Sequence, residues 1–371
     1  MRIAVVTTTR ADYGILKPLI KALEKADWAQ LQLLVTGSHL LESQGSTQHE
    51  IEADGVPVAV KVPIFSESDT SALHAAQAFG RAAEQIAPVL DRLKPDALVV
   101  LGDRFETLAI AAAAALLHIP IVHLHGGEQT FGALDNRFRH AISQLADWHL
   151  TATARARETL IRMGLPMQRV FHVGALGVWN VLNQPRLSRE ALQAQSPIAL
   201  KAPLFLITFH PETDTGQTPQ AQVEALIKAL EAFPQSSQII TYANVDEGGE
   251  AINALWQAYA ARHPDRVWLT PSLGQQRYHS LMAIADAVIG NSSSGILEAP
   301  SFGVRTVNIG ARQAGRERAA TVVDVPAESG VIIAAIDRVL TQGKVDSAQN
   351  PYACADTLGK ILKIIREKVA P

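Results

Sequence analysis

Residues 97–128 read ALVVLGDRFETLAIAAAAALLHIPIVHLHGGE, and this stretch decides the fold. Ala97–Leu101 is apolar at every position, the pattern of a strand buried on both faces. Glu106–His118 has the length and composition of a helix, and Pro120 follows it. Ile121–Leu124 is a second, mainly apolar run. Two buried strands joined by a helix make a parallel crossover unit.

The same alternation extends in both directions. Upstream, the strand candidates are Ile3–Thr7, Leu31–Thr36 and Val58–Val62, with helix patterns at Gly14–Lys25 and Leu73–Leu93. Downstream come Trp148–Ala152, Leu204–Phe209, Gln238–Tyr242, Val267–Leu269, Ala287–Ile289 and Thr306–Ile309. Helix patterns at Ala221–Phe233 and Glu247–Arg262 separate some of these. Sustained alternation predicts an α/β protein with doubly wound, Rossmann-like sheets. The segment Gly177–Ala202 lacks a strand-like run and carries Pro185 and Pro197, so a domain boundary is expected there. An amphipathic helix over Ala353–Val369 ends the pattern.

Composition excludes several classes. The chain has 371 residues, enough for two domains. Its formal net charge of −3 favours neither nucleic acid nor an anionic membrane as partner. The single cysteine, Cys354, rules out an internal disulfide framework and a cysteine-based zinc cluster. The start, Met1–Thr7, does not read as a signal peptide, and the longest apolar run, Leu108–Leu117, is too short to span a bilayer. A cytoplasmic location is expected.

In open α/β sheets, ligands sit beyond the carboxyl ends of the strands, so the residues leaving each strand carry the functional information. After the first strand comes Thr7-Thr8-Thr9-Arg10-Ala11-Asp12, which is not a glycine-rich dinucleotide fingerprint and counts against NAD. Arg10 can hold a phosphate oxygen, and Asp12 reads either as a ligand residue or as a helix cap. After Leu101 comes Gly102-Asp103-Arg104-Phe105-Glu106, where Asp103 and Glu106 fit a capping arrangement that Arg104 spoils. His125-Gly126-Gly127-Glu128 follows Leu124, with Asp135 seven residues on, again either a cap or a functional acid. Two such carboxylates can divide acid and base roles. His123 and His125 would share a strand face, which raises a zinc site without a clear third ligand.

The second half opens on Phe209-His210-Pro211-Glu212 and has a polar strand exit at Tyr242–Gly249. Gly290-Asn291-Ser292-Ser293-Ser294-Gly295 precedes a helix expected over Ile296–Ser301. Backbone N–H groups and hydroxyls there suit an anion. Glu298, about one turn on, suits a hydroxyl pair such as a ribose diol. Arg312–Arg318 is a basic loop that either closes over a diphosphate or is solvated surface.

In these residues the chain resembles the hydrolysing UDP-N-acetylglucosamine 2-epimerases of bacterial sialic acid synthesis, over nearly its full length. The matching stretches are Thr9–Gly14, Gly102–Glu106, His125–Glu128 with Gly132–Asp135, Arg139-His140, Phe209–Pro211, Gly290–Gly295 with Glu298, and Arg312–Arg316. The resemblance implies a glycosyltransferase-B-like fold with the active site in the interdomain cleft. It implies domains at 1–180 and 181–353, with the C-terminal helix, 354–371, packing back on the first. It implies anti elimination of UDP to a glycal and then hydration to the manno sugar, with no cofactor and no metal. Matched by position, Asp103, Glu128 and Asp135 are the expected catalytic carboxylates. Arg10 and His210 are expected at the diphosphate, Ser292, Ser293 and Ser294 as a phosphate cradle, and Glu298 at the ribose. Ala11, Arg104, Asn244 and Arg316 complete the expected substrate contacts.

Two residues depart from the family pattern: Asn136 stands where many relatives have a second acid, and Glu212 where an uncharged residue is expected. UDP-N-acetylglucosamine is the leading expected substrate, and its 2,4-diacetamido-6-deoxy analogue, used in legionaminic acid synthesis, is the alternative. The competing classes are a retaining glycosyltransferase, which shares the fold, and a non-catalytic nucleotide-sugar sensor. A homodimer or homotetramer is the assembly the resemblance implies.

Overall fold

The computed structural model describes residues 1–41, 47–65, 72–129, 134–212, 216–243, 249–345 and 349–369. Met1–Asn180 with Tyr352–Pro371 forms one compact unit, and Val181–Pro351 forms a second.

In the first unit the order is β1 (Arg2–Thr7), α1 (Arg10–Glu24), β2 (Gln30–Thr36), α2 (Gln48–Ala53), β3 (Val58–Val62), α3 (Ala72–Leu93), β4 (Ala97–Leu101) and α4 (Phe105–Leu116). Then come β5 (Ile121–Leu124), α5 (Asp135–Leu145), β6 (Trp148–Thr151), α6 (Ala154–Arg162), β7 (Val170–His172) and α7 (Leu176–Asn183). The second unit runs α8 (Arg189–Gln195), β8 (Leu204–Thr208), α9 (Pro219–Glu231), β9 (Ser237–Thr241), α10 (Gly249–Arg262), β10 (Val267–Thr270) and α11 (Gly274–Ile284). It continues with β11 (Ala287–Gly290), α12 (Ser293–Leu297), β12 (Arg305–Ile309), β13 (Val322–Val325) and α13 (Ser329–Gln342); α14 (Thr357–Lys368) returns to the first unit.

The two sheets have matching topology. The first is ordered β3-β2-β1-β4-β5-β6-β7 and the second β10-β9-β8-β11-β12-β13. Each adjacent pair within them is parallel. The order reverses between β1 and β4 in one and between β8 and β11 in the other. That reversal opens a crevice at the strands' carboxyl ends. These are two Rossmann-like doubly wound domains, as the alternation of strands and helices predicts.

Strand residues feed opposite faces in turn. Ile3 and Val5 pack with Leu16, Leu19 and Ile20 of α1, whereas Ala4 and Val6 pack with Ile86, Leu90 and Ile110 of α3 and α4. In the second sheet Phe205 and Ile207 serve one core while Leu204 and Leu206 serve the other. Helices on both faces are therefore required, and the absence of polar alternation follows. Ile361, Ile365 and Val369 of the last helix are buried in the α1 core. At about 1.5–3 kcal/mol per buried side chain of this size, that helix is an integral layer of the first unit.

Some local expectations fail for identifiable reasons. β7 has three residues, below any periodicity signal, and β13 is an edge strand that exposes Asp324. The helix expected over Ile296–Ser301 instead starts at Ser293 and stops at Leu297, and Ala299–Phe302 tightens into a 3-10 turn at Pro300. The last helix begins at Thr357, because Asp356 caps it by accepting a bond from the Gly359 N–H.

Candidate active site

The crevice of the first sheet is flanked by the exits of β1 and β4. At β1, Thr9 caps α1, its hydroxyl accepting a bond from the Asp12 N–H at 3.2 Å. Asp12 is therefore the third residue of the helix and not its cap. Its carboxylate accepts from the Thr8 hydroxyl at 2.5 Å and the Thr8 N–H at 3.3 Å. Burial raises the Asp12 carboxyl, against the Thr8 hydrogen bonds and Arg104. Arg10 and Ala11 are exposed at the helix start, and Arg10 Nε pairs with Glu50 at 2.9 Å.

At β4, the capping position before α4 is held by Arg104, which makes no side-chain cap. The cap reading of Asp103 is thus corrected: its carboxylate pairs with Arg139 of α5. Arg104 Nε donates to Glu106 Oε1 at 2.7 Å, while Glu106 Oε2 is buried without a hydrogen-bond partner among the described residues. Burial raises the Glu106 carboxyl, and Arg104 opposes it.

The exit of β5 adds the next carboxylate. His123 is buried, with Nε2 donating to Gly102 O at 2.8 Å and Nδ1 at 3.1 Å from Ser143 Oγ. Burial pushes it down to about 3, so it is a neutral structural imidazole. The strand ends at Leu124, and His125 turns left-handed at φ +64. The expected pairing of His123 and His125 on one strand face is therefore wrong, and the zinc reading loses its geometry. His125 Nδ1 instead lies 2.9 Å from Glu128 Oε1. Gly127, at φ +80, lies so close to Ala156 O that no side chain fits, which seats the turn carrying Glu128.

Helix α5 gathers these acids. Asp135 is its first residue, and the preceding Leu134 makes no side-chain cap, so Asp135 is not the helix cap. Arg139, one turn on, is buried; it donates through Nη1 to Glu128 O at 2.7 Å and through Nη2 to the Asp103 carboxylate. One guanidinium thus ties the β4 exit to the β5 exit. Asp135 keeps solvent contact, yet burial by the surrounding protein and the neighbouring Asp103 charge raise its carboxyl. The three sequence-expected carboxylates fall in one cluster, with Arg104 acting electrostatically on Asp12 and Asp135.

The corresponding exits of the second sheet carry mainly uncharged groups. The Asn291 side chain accepts from the His210 N–H at 2.7 Å and donates to the His210 carbonyl at 2.9 Å. It stitches β8 to β11 past their ends. Gly290, at φ +130, sits against Thr208 O where a Cβ has no room. Burial first, and then Arg312, pull His210 down to about 4, so near pH 7 it is a neutral imidazole. Ser292 caps α12, and Ser293 begins it. Ser294 Oγ lies 3.0 Å from Ser292 Oγ and 2.6 Å from the Tyr278 hydroxyl. Glu298 closes α12 and lies 3.1 Å from His279 Nε2.

Gln313 Nε2 donates to Asn291 O at 2.9 Å and draws the basic loop onto the serine turn. Arg316 lies half-buried in that loop, where its carbonyl accepts from Arg318. The Glu212 carboxylate accepts from the Ala311 N–H at 2.9 Å, a backbone role that sequence left open. Asn244 lies outside the described residues.

Sequence reasoning did not single out Asp12 as an acid whose carboxyl is raised, or Arg139 beyond its place in a motif. The available signal for Arg139 was an arginine one turn after Asp135, on the helix face shared with buried Ile142 and Ser143.

Two parallel doubly wound units, one presenting clustered carboxylates at its crevice and the other an amide- and hydroxyl-rich loop, define a nucleotide-sugar enzyme class. Residues 21–366 match the family model described as UDP-N-acetylglucosamine 2-epimerase, and the chain belongs to that family. It is 37% identical over 323 residues to the GDP/UDP-N,N'-diacetylbacillosamine 2-epimerase (hydrolyzing) of Campylobacter jejuni, covering 87% of this chain and 84% of that one. It is 33% identical over 372 residues to polysialic acid biosynthesis protein P7 of Escherichia coli, covering 99% and 94%. Among solved structures, the UDP-GlcNAc 2-epimerase of Neisseria meningitidis bound to UDP-GlcNAc shares the fold. It has a TM-score of 0.84 at 19% identity, covering 99% of this chain and 100% of that one. The fold is glycosyltransferase-B-like, as the resemblance implies. Among the described residues, no helix is long and apolar enough to cross a membrane.

Proposed function

We propose that this chain hydrolyses a UDP-linked 2-acetamido sugar with inversion at C2, by elimination of UDP and hydration of the resulting glycal. The observation that supports this is the Asp103–Arg139–Glu128 bridge with Asp135 beside it. Removing the weakly acidic C2 proton needs a fixed anionic base, and hydration of the glycal needs a group that can return a proton to C2. The Asp103 carboxylate, paired with Arg139, and the Glu128 carboxylate, beside His125 on a main chain that Arg139 holds, suit the first need. Asp135, whose carboxyl is raised, suits the second.

In the elimination, the C2–H electron pair becomes the C1=C2 bond, and the C1–O bond breaks with its pair leaving on the diphosphate. Water then adds its oxygen to C1, and a proton goes to C2 from the other face, giving the manno sugar. His210, Ser292, Ser293 and Ser294 would hold the departing diphosphate, Glu298 the ribose, and Arg10 would exchange Glu50 for a phosphate oxygen. Ala11, Arg104 and Arg316 line the same reading as further substrate contacts.

For the sugar, the relative of higher identity is named for diacetylbacillosamine, which puts the 2,4-diacetamido-6-deoxy substrate first. UDP-N-acetylglucosamine is the second reading, supported by the description of the family model that matches residues 21–366. Each sugar nucleotide is to be incubated with the enzyme in deuterated water and the products read by NMR. Deuterium at C2 of a free manno sugar, with UDP released, is expected for one of them. No UDP release from either sinks the hydrolase reading.

A further inference from the structure

Helix α11 reaches the serine turn and Glu298 through two consecutive residues. The Tyr278 hydroxyl lies 2.6 Å from Ser294 Oγ, and His279 Nε2 lies 3.1 Å from Glu298 Oε2. Neighbouring residues on a helix point about 100° apart, so one helix can address both ends of the 292–298 segment. His279 is buried, and Ser280 behind it anchors the helix by donating to Gln276 O and accepting from the Leu187 N–H. Burial keeps the Tyr278 phenol protonated by raising it, and the hydroxyls of Thr208, Ser292 and Ser294 surround it. A phenol is a stronger acid than a serine hydroxyl, which favours Tyr278 as the donor of this pair. Ser294 then has its own proton to give onward, and each bond in such a chain polarises the next.

At the other end, the imidazole N–H occupies one carboxylate oxygen of Glu298. No described residue bonds the second, Oε1, which is left to accept from a ligand.

We propose that Tyr278 and His279 are positioning residues of the nucleotide site. Tyr278 turns the Ser294 hydroxyl into a donor for a diphosphate oxygen, and His279 aligns the Glu298 carboxylate with the ribose hydroxyls. This rests on the nucleotide assignment made above. The two residues then govern separable features of one ligand, the diphosphate and the sugar diol. A role in packing alone would weaken every ligand alike.

The test is calorimetric binding of UDP, 2′-deoxy-UDP and uridine to the full chain, with thermal melts of each variant. The wild type is expected to prefer UDP over 2′-deoxy-UDP. His279→Leu is expected to lose about 3–10-fold for UDP, little for 2′-deoxy-UDP, and so most of that preference. His279→Gln, whose amide can stand at the Nε2 position, is expected to restore it, and His279→Asn, too short, is not. Tyr278→Phe is expected to weaken UDP and 2′-deoxy-UDP equally, by about 3–10-fold, and to leave uridine unchanged.

An unchanged UDP preference in both His279→Leu and His279→Asn overturns the proposal, as does wild-type UDP affinity in Tyr278→Phe. Should His279→Leu fail to fold, the contrast between Gln and Asn decides. If the wild type binds no UDP, the nucleotide assignment itself falls and this inference with it, which separates the two failures.

Discussion

The two sheets run in the same order and reverse at the same place, yet the residues at their crevices differ in kind. The first unit presents Asp12, Asp103, Glu106, Glu128 and Asp135, held by Arg104 and Arg139. The second presents Thr208, His210, Asn291, Ser292, Ser294 and Tyr278, which are uncharged when His210 is neutral, with Glu298, Arg312 and Arg316 as its charged groups. Carboxylates are concentrated on one scaffold. Groups that donate hydrogen bonds are concentrated on the other. The shared strand order and reversal therefore fix where a ligand can sit and leave the chemistry to the loops.

The sharpest way to break this contrast is Glu128→Gln. Turnover is expected to fall by about 10²–10⁴-fold, while UDP affinity from calorimetry stays near wild type. An equal loss of binding would mean that the first unit holds the nucleotide too. Arg139→Met removes the bridge between the β4 and β5 exits. It should cost about 3 kcal/mol in urea unfolding, toward the low end for breaking a buried pair, because Asp103 keeps some solvent. Gly290→Ala tests the second unit's backbone by forcing a Cβ against Thr208 O at a positive φ. A loss of about 2 kcal/mol is expected.

The pH dependence gives a smaller and more selective probe. His210 titrates near 6.5 when unfolded and is pushed down to about 4 by burial in the fold. Between those values the unfolded state binds more protons, so this histidine's contribution is complete above about pH 6.5 and is lost as pH falls toward 4. His210→Gln should flatten that part of the stability profile, read from urea midpoints at successive pH values. Least of all, Arg10→Ala removes an exposed pair with Glu50 and should change stability by less than about 1 kcal/mol. If Arg10 meets the diphosphate, the same change raises KM well beyond that.

Much of the fold was legible because buried parallel strands are continuous apolar runs; Val58–Val62, Ala97–Leu101 and Ile121–Leu124 match their predicted bounds. β7 and β13 were not legible, one too short and the other half-exposed. The site divides similarly. Strand exits can be found from sequence because they follow the runs, so Asp103, Glu128, His210 and Ser292 could be picked out. Partners that arrive through tertiary contact could not. Asp103 read as a cap because its partner Arg139 lies 36 positions away. His125 read as a strand residue because nothing local announces a left-handed non-glycine. Glu212 looked like a stray charge until the Ala311 N–H was seen to need an acceptor.

The return of the last helix to the first unit carries a consequence for biosynthesis. Ile361, Ile365 and Val369 complete a core begun at Ile3, but the ribosome makes them only after the whole second unit. At about 5–20 residues per second, the nascent first unit waits on the order of ten seconds or more with the α14 face of its core uncovered. A chain that stalls or is cleaved after Pro351 lacks this layer of the first unit's core. Docking of α14 is therefore the step that closes the first unit's core.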